Sequence, residues 1–305
     1  MDRTYAETVR LLLSVAPDVF ANEHFAMKGG TAINLFVRDM PRLSVDIDVV
    51  YTARPTPRAA ALAAISGRLR AIEASATRRG LEARTITARD GSESRLLISN
   101  RSVQVKVEVN LILRGTVLPV ERRPLCPLAA ETFAAELEAP TLAADELYGS
   151  KLVAAFDRQH PRDLFDIGQL EAAGGITEGM VECFVTYLAG HNRPPHEVLF
   201  PTPKPLADLF ASTFVGMTRE PTQLVELEKT RASLLAEVPR RLTENHRRFL
   251  VSLSRAEPDW TLLQCPHAAE LPAIQWKLIN LRRFRDRDPA AFRAQGDQLE
   301  RLLAG

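Results

Sequence analysis

Residues 28–51 read KGGTAINLFVRDMPRLSVDIDVVY, and their order poses a chemical question. A double glycine and the Thr31 hydroxyl open an apolar helical run. Two carboxylates one residue apart, Asp46 and Asp48, then sit in a strand of valine and isoleucine. Alternate side chains of a strand point to opposite faces, so Val45, Ile47 and Val49 form a core face and both aspartates share the other. The later run SVQVKVEVN repeats the pattern, with Val103, Val105, Val107 and Val109 on the core face and Gln104, Lys106 and Glu108 opposite. Two neighbouring strands of this kind present three carboxylates, Asp46, Asp48 and Glu108, on one surface. Crowded carboxylates repel one another unless cations or protons neutralise them. Hard oxygen ligands of this type suit Mg²⁺ or Mn²⁺, with water and substrate phosphates completing the Mg²⁺ shell. Upstream, Gly29, Gly30 and Thr31 open a helix whose backbone N–H groups suit an anionic phosphate. A double glycine alone commonly serves only a turn, and an alternating acidic strand is commonly the wet face of an antiparallel sheet. Their occurrence together in this order selects a metal-dependent phosphate site.

The remainder of the chain bounds that reading. At 305 residues it is long enough for about two domains, and 46% hydrophobic with 25% charged residues is ordinary for a globular protein. Residues 1–20, MDRTYAETVRLLLSVAPDVF, carry acids among their apolar positions and read as a helix rather than a signal peptide. No apolar run reaches the length of a membrane span. Cys126, Cys183 and Cys265 are far apart, without CxxC or zinc spacing, which points to a cytoplasmic protein without structural disulfides. Residues 1–200 hold 23 basic and 25 acidic side chains and residues 201–305 hold 16 and 13, so bulk charge does not indicate a nucleic-acid partner. The pattern predicts helices near 4–15, 30–38 and 57–79, and strands at about 45–51 and through SVQVKVEVNLIL. ARTITAR and RLLIS read as a hairpin turning at Asp90-Gly91. From about 141 the signals are helical: TLAADELYGSKLVAAFDRQ, then PRDLFDIGQLEAAGG with proline at its start and glycines at its end. HNRPPHEVLFPTPKP is the proline-rich candidate boundary, and everything beyond it reads as helices.

KGGTAINLF followed by RLSVDID resembles the signature of the DNA polymerase β-type nucleotidyltransferase superfamily. The lysine before the glycines and the PRLS before DID most resemble the AbiEii/AbiGii (MenT-like) toxins of bacterial toxin–antitoxin systems. A downstream lysine and an RDxxD-type motif match the same family as Lys151 in YGSKLVAAFDR and as Arg162, Asp163 and Asp166 in PRDLFDI. Arg162 and Asp166 stand at i,i+4 and Asp163 and Asp166 at i,i+3, so these side chains can share a helix face. Thr31 replaces the serine of many superfamily members and keeps the hydroxyl. The resemblance covers about residues 25–170. It implies an α/β (α+β) fold, with a nucleotidyltransferase-like mixed sheet flanked by helices over residues 1–140 and a mainly helical region over 141–305.

The resemblance also implies a mechanism. Asp46, Asp48 and Glu108 are the expected ligands of Mg²⁺ or Mn²⁺. Lys28, Gly29, Gly30, Thr31, Lys151 and Arg162 are expected to bind a nucleoside triphosphate, and Asp163 or Asp166 to serve the nucleotide or acceptor. The expected activity is transfer of a nucleoside monophosphate to an RNA hydroxyl, foremost the tRNA 3′ end, by a toxin that arrests growth and has a cognate antitoxin protein. Arg240, Arg241, Arg247, Arg248, Arg282, Arg283 and Arg285 are candidates for phosphate contacts, against the plainer reading of a solvated helical face. The same metal residues also suit a small-molecule nucleotidyltransferase, and a protein that binds GTP without catalysis is a third reading.

Overall fold

Valine and isoleucine at every second position draw the two acidic strands into the middle of a sheet, because each buries one whole face. Ile47, Val49, Val105 and Val107 are all fully buried. The computed structural model describes residues 3–21, 24–54, 56–87 and 93–304. Two compact units result: Met1–Leu147 with Gly216–Pro221, and Tyr148–Val215 with Thr222–Gly305.

The first unit holds a seven-stranded mixed sheet. Its strands are β1 (Phe25–Lys28), β2 (Asp46–Tyr51), β3 (Glu82–Thr87), β4 (Glu93–Ser99), β5 (Gln104–Val109), β6 (Glu121–Pro124) and β7 (Glu138–Thr141), in the order β3-β4-β5-β2-β1-β7-β6. β2 runs parallel to β5 and β1 parallel to β7; the other neighbours are antiparallel. Helix α1 (Arg3–Phe20) buries Val9, Leu12, Val15 and Val19, and a later helix, Arg58–Arg78, buries Ala61, Ile65, Leu69 and Ile72. Both stripes follow the helical period and pack toward the sheet.

Two local departures from the sequence expectation have physical causes. The helix expected near 30–38 is a single α-turn, α2 (Gly29–Ala32), continued by a π-helical turn over Ile33–Val37. There the buried Asn34 donates from Nδ2 to Gly30 O at 2.9 Å, and a side chain reaching into the backbone ladder is a recognised source of irregular helix. The strand expected through residue 113 stops at Val109 because Asn110 Oδ1 accepts from Ile112 N and Leu113 N, at 3.0 and 2.8 Å, and turns the chain. The hairpin partners β3 and β4 pair from Glu82↔Ser99 to Thr87↔Glu93, with a register shift after Ile86. Their expected turn at Asp90-Gly91 lies outside the described residues. A remote segment also belongs to this unit: Leu43 N donates to Met217 O and Arg219 N to Pro41 O, pinning the approach to β2.

The Arg58–Arg78 helix is α3 in chain order, followed by α4 (Pro127–Phe133) and α5 (Ala144–Arg158). The second unit is built from α6 (Pro161–Ala172), α7 (Glu178–Ala189), α8 (Pro195–Leu199), α9 (Ala207–Thr213), α10 (Leu224–Arg241), α11 (Glu244–Ser254), α12 (Pro272–Arg287) and α13 (Pro289–Ala304), together with α5 from Tyr148 onward. The proline-rich stretch 191–205 lies inside this unit and contributes the buried Val198 and Leu199. Phe156 meets Phe184, and Phe165 meets Phe214, each with ring centroids 5.5 Å apart. Glu182, buried, accepts from Gln264 N at 2.8 Å and faces His246 Nε2 at 2.9 Å. Cys126, Cys183 and Cys265 are free and buried.

Two glycines separate helix propensity from packing. A Cβ on Gly149 would lie 2.5 Å from Cys183 Cβ and 2.8 Å from Phe184 N, whereas a Cβ on Gly67 in α3 meets nothing within 4 Å. Alanine is favoured over glycine inside a helix by about 1 kcal/mol, but overpacking costs about 1–3 kcal/mol or more. Gly149→Ala is therefore expected to lower the urea unfolding midpoint and Gly67→Ala to raise it.

Candidate active site

Strand register assembles the charges. Asp48 stands opposite Glu108 on β5 and opposite Lys28 on β1, and Glu108 stands opposite Arg95 on β4. One row across four strands therefore reads cation, acid, acid, cation. In the adjoining row Asp46 stands opposite Lys106. Lys106 Nζ lies 2.8 Å from Glu108 Oε2 and 3.6 Å from Asp46 Oδ2, and Arg95 Nη2 lies 3.1 Å from Glu108 Oε1. These pairs are about one-third exposed on the lysine and carboxylate sides, so each contributes roughly 0–1 kcal/mol.

The two central acids differ. Burial pushes the Asp48 carboxyl above its ordinary value, with Asp46 and Glu108 adding to the rise against Lys28 and Lys106. For Glu108 burial also pushes upward, but the hydrogen bonds and charges of Lys106 and Arg95 outweigh it and hold the carboxyl below its ordinary value. Lys106 is pulled down by burial and raised further by Glu108, Asp46 and Asp48, ending above the usual lysine range. The site thus has compensated charge at Glu108 and only partly compensated charge at Asp48. Among the described residues, no group of three or more His, Cys, Asp or Glu side chains stands in an arrangement that could hold a metal ion. The ammonium of Lys106 lies among the acids instead. The donor chemistry nevertheless fits a hard divalent ion: aspartates and a glutamate in adjacent register, one of them lifted in pKa by burial and like charge.

The glycine turn closes over these acids. Gly29 has φ 76°, and a Cβ there would lie 2.7 Å from Asp48 Oδ2; a Cβ on Gly30 would lie 2.8 Å from Arg42 Nη2. At Gly29 the positive φ and the close carboxylate together disfavour any side chain, whereas at Gly30 a Cβ would require the end of the Arg42 side chain to shift. Thr31 is buried, and its hydroxyl donates to Asp46 O at 2.5 Å with Ser44 Oγ at 3.0 Å, tying the turn to the start of β2. No side chain caps the N-terminus of α2, where Lys28 occupies the cap position.

The second unit carries its own charged cluster. Lys151 Nζ lies 2.9 Å from Asp163 Oδ1 and 3.0 Å from Asp166 Oδ2, and all three residues are buried. The i,i+3 spacing on α6 brings both aspartates to one lysine of α5. Arg158, at the end of α5, donates to both oxygens of Asp163 at 3.0 and 2.8 Å. Arg162 is exposed, and among the described residues its side chain makes no hydrogen bond or ion pair. Removing one partner of such a buried network costs about 3–5 kcal/mol.

Of the seven arginines considered as phosphate contacts, Arg241, Arg247 and Arg285 are engaged by backbone carbonyls or carboxylates. Arg240, Arg248, Arg282 and Arg283 are exposed; Arg248 acts electrostatically on Asp259, and Arg240, Arg282 and Arg283, among the described residues, make no hydrogen bond or ion pair. Trp276, 50% exposed, lies on α12 with the last two. The roles of Lys106, Arg95 and Arg158 go beyond the sequence expectation. For Lys106 a signal existed, since strand parity already put it on the Glu108 face.

Comparison with known proteins gives this geometry its context. Residues 10–280 match the family described as Nucleotidyl transferase AbiEii toxin, Type IV TA system. Among solved structures the chain is similar to MenT4, a nucleotidyltransferase toxin from Mycobacterium tuberculosis H37Rv. The identity is 18% and the TM-score 0.59, over 91% of this chain and 94% of that one, a likeness of fold. The CdnC:HORMA-deltaN complex of E. coli MS115-1 aligns over 90% of this chain and 88% of that one at 12% identity, and its TM-score of 0.22 is too low to carry an argument. A search among curated proteins found no match. No helix among the described residues is long and apolar enough to cross a membrane. The fold is the mixed α/β sheet with a helical C-terminal region that the sequence led us to expect, and the chain belongs to the AbiEii family of nucleotidyltransferase toxins of type IV toxin–antitoxin systems.

Proposed function

We propose that the protein transfers a nucleoside monophosphate from a nucleoside triphosphate to an RNA hydroxyl, with the 3′ end of tRNA as acceptor, and thereby arrests growth until its antitoxin counteracts it. The observation that carries this reading is the register of β1, β2 and β5, which sets Lys28, Asp48 and Glu108 side by side beneath the glycine turn. Asp46 and Asp48, with Glu108, would hold Mg²⁺ or Mn²⁺, which when bound supplies charge neutralisation to the triphosphate and makes an acceptor hydroxyl easier to deprotonate. The chain's own groups do the rest. Lys28 and the backbone N–H groups of Gly29 and Gly30 bind the terminal phosphates. Thr31, buried against Asp46 O, holds that turn in place. The acceptor hydroxyl gives its proton to a carboxylate of the site, foremost Glu108, as its oxygen forms the bond to the α-phosphorus; the bond to the pyrophosphate oxygen breaks, and pyrophosphate carries the electron pair away.

An RNA acceptor is favoured over a small molecule by the exposed Arg240, Arg282 and Arg283, whose charges no protein group answers among the described residues, and by the exposed Trp276. Arginine and an exposed ring suit phosphate and unstacked base.

The direct test incubates the protein with Mg²⁺, each labelled nucleoside triphosphate in turn and total tRNA. Label is expected on tRNA and is expected to fall by about a hundredfold or more with Asp48→Asn. Label on no RNA with any nucleotide would overturn the RNA assignment. Because Asp48 has a raised carboxyl pKa in the fold, its charge costs stability above that pKa, and the cost disappears once pH falls below the ordinary value of 3.8. Without added metal, Asp48→Asn should therefore melt higher than the unmodified protein at neutral pH, with the gain shrinking toward pH 3.8.

We assign Lys151, Asp163 and Asp166 to the same reaction, acting as one unit with Arg158. Lys151→Met alone is expected to destabilise by about 3–5 kcal/mol, because it strands buried carboxylates. Combining it with Asp163→Asn and Asp166→Asn should restore much of the melting temperature. A restored protein that stays inactive supports a role in transfer, and one with full activity would reduce the cluster to a structural brace.

A further inference from the structure

The carboxylate surface already contains a cation of its own. Lys106 lies on the same face of β5 as Glu108, two residues away, and opposite Asp46 across the parallel register. Its ammonium reaches Glu108 Oε2 at 2.8 Å and Asp46 Oδ2 at 3.6 Å. Asp46 and Glu108 therefore share one ammonium between them.

We propose that Lys106 is the resident counter-ion of the site: it holds Asp46 and Glu108 together before loading, gives them up when a divalent ion enters, and then pairs with the triphosphate. This inference rests on the reading of Asp46 and Asp48 as metal ligands.

The geometry makes the exchange feasible in three ways. The Lys106 side chain is 34% exposed and its partners Asp46 and Glu108 are 39% and 30% exposed, so these pairs are weak and close to solvent. Glu108 keeps Arg95 Nη2 at 3.1 Å after Lys106 leaves, so the departure does not strand it. A triphosphate brings fresh negative charge to the face on which Lys106 already lies. Lys151 offers the contrast: its amine is buried with both acid partners and has no such freedom. One cation replaces another, and no change of protonation is needed.

The consequence is coupling between the two ligands. Metal alone must compete with Lys106, whereas metal arriving with nucleotide gives the displaced ammonium a new partner. Nucleotide should therefore strengthen metal binding in the unmodified protein, and removal of the lysine charge should weaken that dependence.

The test is Mn²⁺ titration followed by electron paramagnetic resonance, with and without a nucleotide analogue that cannot transfer its α-phosphate, on the unmodified protein and on Lys106→Met, Lys106→Gln, Lys106→Arg and Asp48→Asn. Without nucleotide, Lys106→Met and Lys106→Gln are expected to bind Mn²⁺ about tenfold more tightly than the unmodified protein. The strengthening by nucleotide is expected to be smaller in both, and Lys106→Arg should behave as the unmodified protein does. The uncharged pair gives the same readout twice, so failure of one to fold leaves the other. Equal or weaker Mn²⁺ binding in the uncharged variants, or tighter binding in Lys106→Arg as well, would overturn the role of Lys106 while the Asp48-dependent site stands. Mn²⁺ binding that survives Asp48→Asn unchanged would instead remove the metal reading, and this inference with it.

Discussion

The parallel register of β2 against β5 is the constraint on which the candidate site depends. It sets Ile47 beside Val107 on one face and Asp48 beside Glu108 on the other. A slip of one residue would turn every side chain to the opposite face, sinking the acids and exposing the valines. The apolar faces thus fix the charges: burying Ile47, Val49, Val105 and Val107 completely is a strong enough preference to hold two like-charged groups together. The segment Gly216–Pro221 reinforces the register from outside the sheet by pairing with Pro41–Leu43 just before β2 begins.

Lys106 and Lys151 each face two carboxylates, and burial separates their behaviour. Lys151 and both its aspartates are buried, and Arg158 completes the charge balance from a more exposed position. Losing one member leaves an unpaired buried charge, so the group is rigid by necessity. Around Lys106 the same ionic chemistry operates beside solvent, where each pair is weak and partners can be exchanged. The first arrangement suits a fixed element and the second a surface that must accept a ligand.

Strand parity made much of the first unit legible. SVDIDVV and SVQVKVEVN alternate cleanly enough to tell which side chains are buried and which acids share a face, and the GG turn followed by a hydroxyl marked the entry to the site. The partners of those acids were less accessible, because they are set by pairing between distant strands. Arg95 reaches Glu108 only through the β4–β5 register, and nothing local to RLLIS announces that. In PRDLFDI, the i,i+3 spacing correctly grouped Asp163 with Asp166, yet spacing alone does not say which flank faces inward. Arg158, five residues before Asp163, takes the ion pair, and Arg162 turns outward. The strand ended early at Asn110 because a side chain that captures two backbone N–H groups competes with the ladder, an effect that hydrophobic alternation does not register. GMTREP, the return to the first unit, carries no periodic signal at all.

The charge at Asp48 explains why such a site is not simply optimised away. Burial and two neighbouring acids raise its pKa, against only partial relief from Lys28 and Lys106, so the unliganded fold bears an electrostatic cost there. The glycines permit that crowding: at Gly29 a Cβ would meet the Asp48 carboxylate, and at Gly30 the Arg42 guanidinium. A fold selected for stability alone would replace Asp48 with a neutral residue and lose nothing from the valine face. Under the proposed reading, a half-buried, partly uncompensated acid beneath an uncapped glycine turn makes sense where a cation and an anion arrive together, since each then relieves a strain that the protein's own side chains leave in place. Lys106 reduces that strain in the absence of ligands without abolishing it, which leaves the site assembled and still receptive.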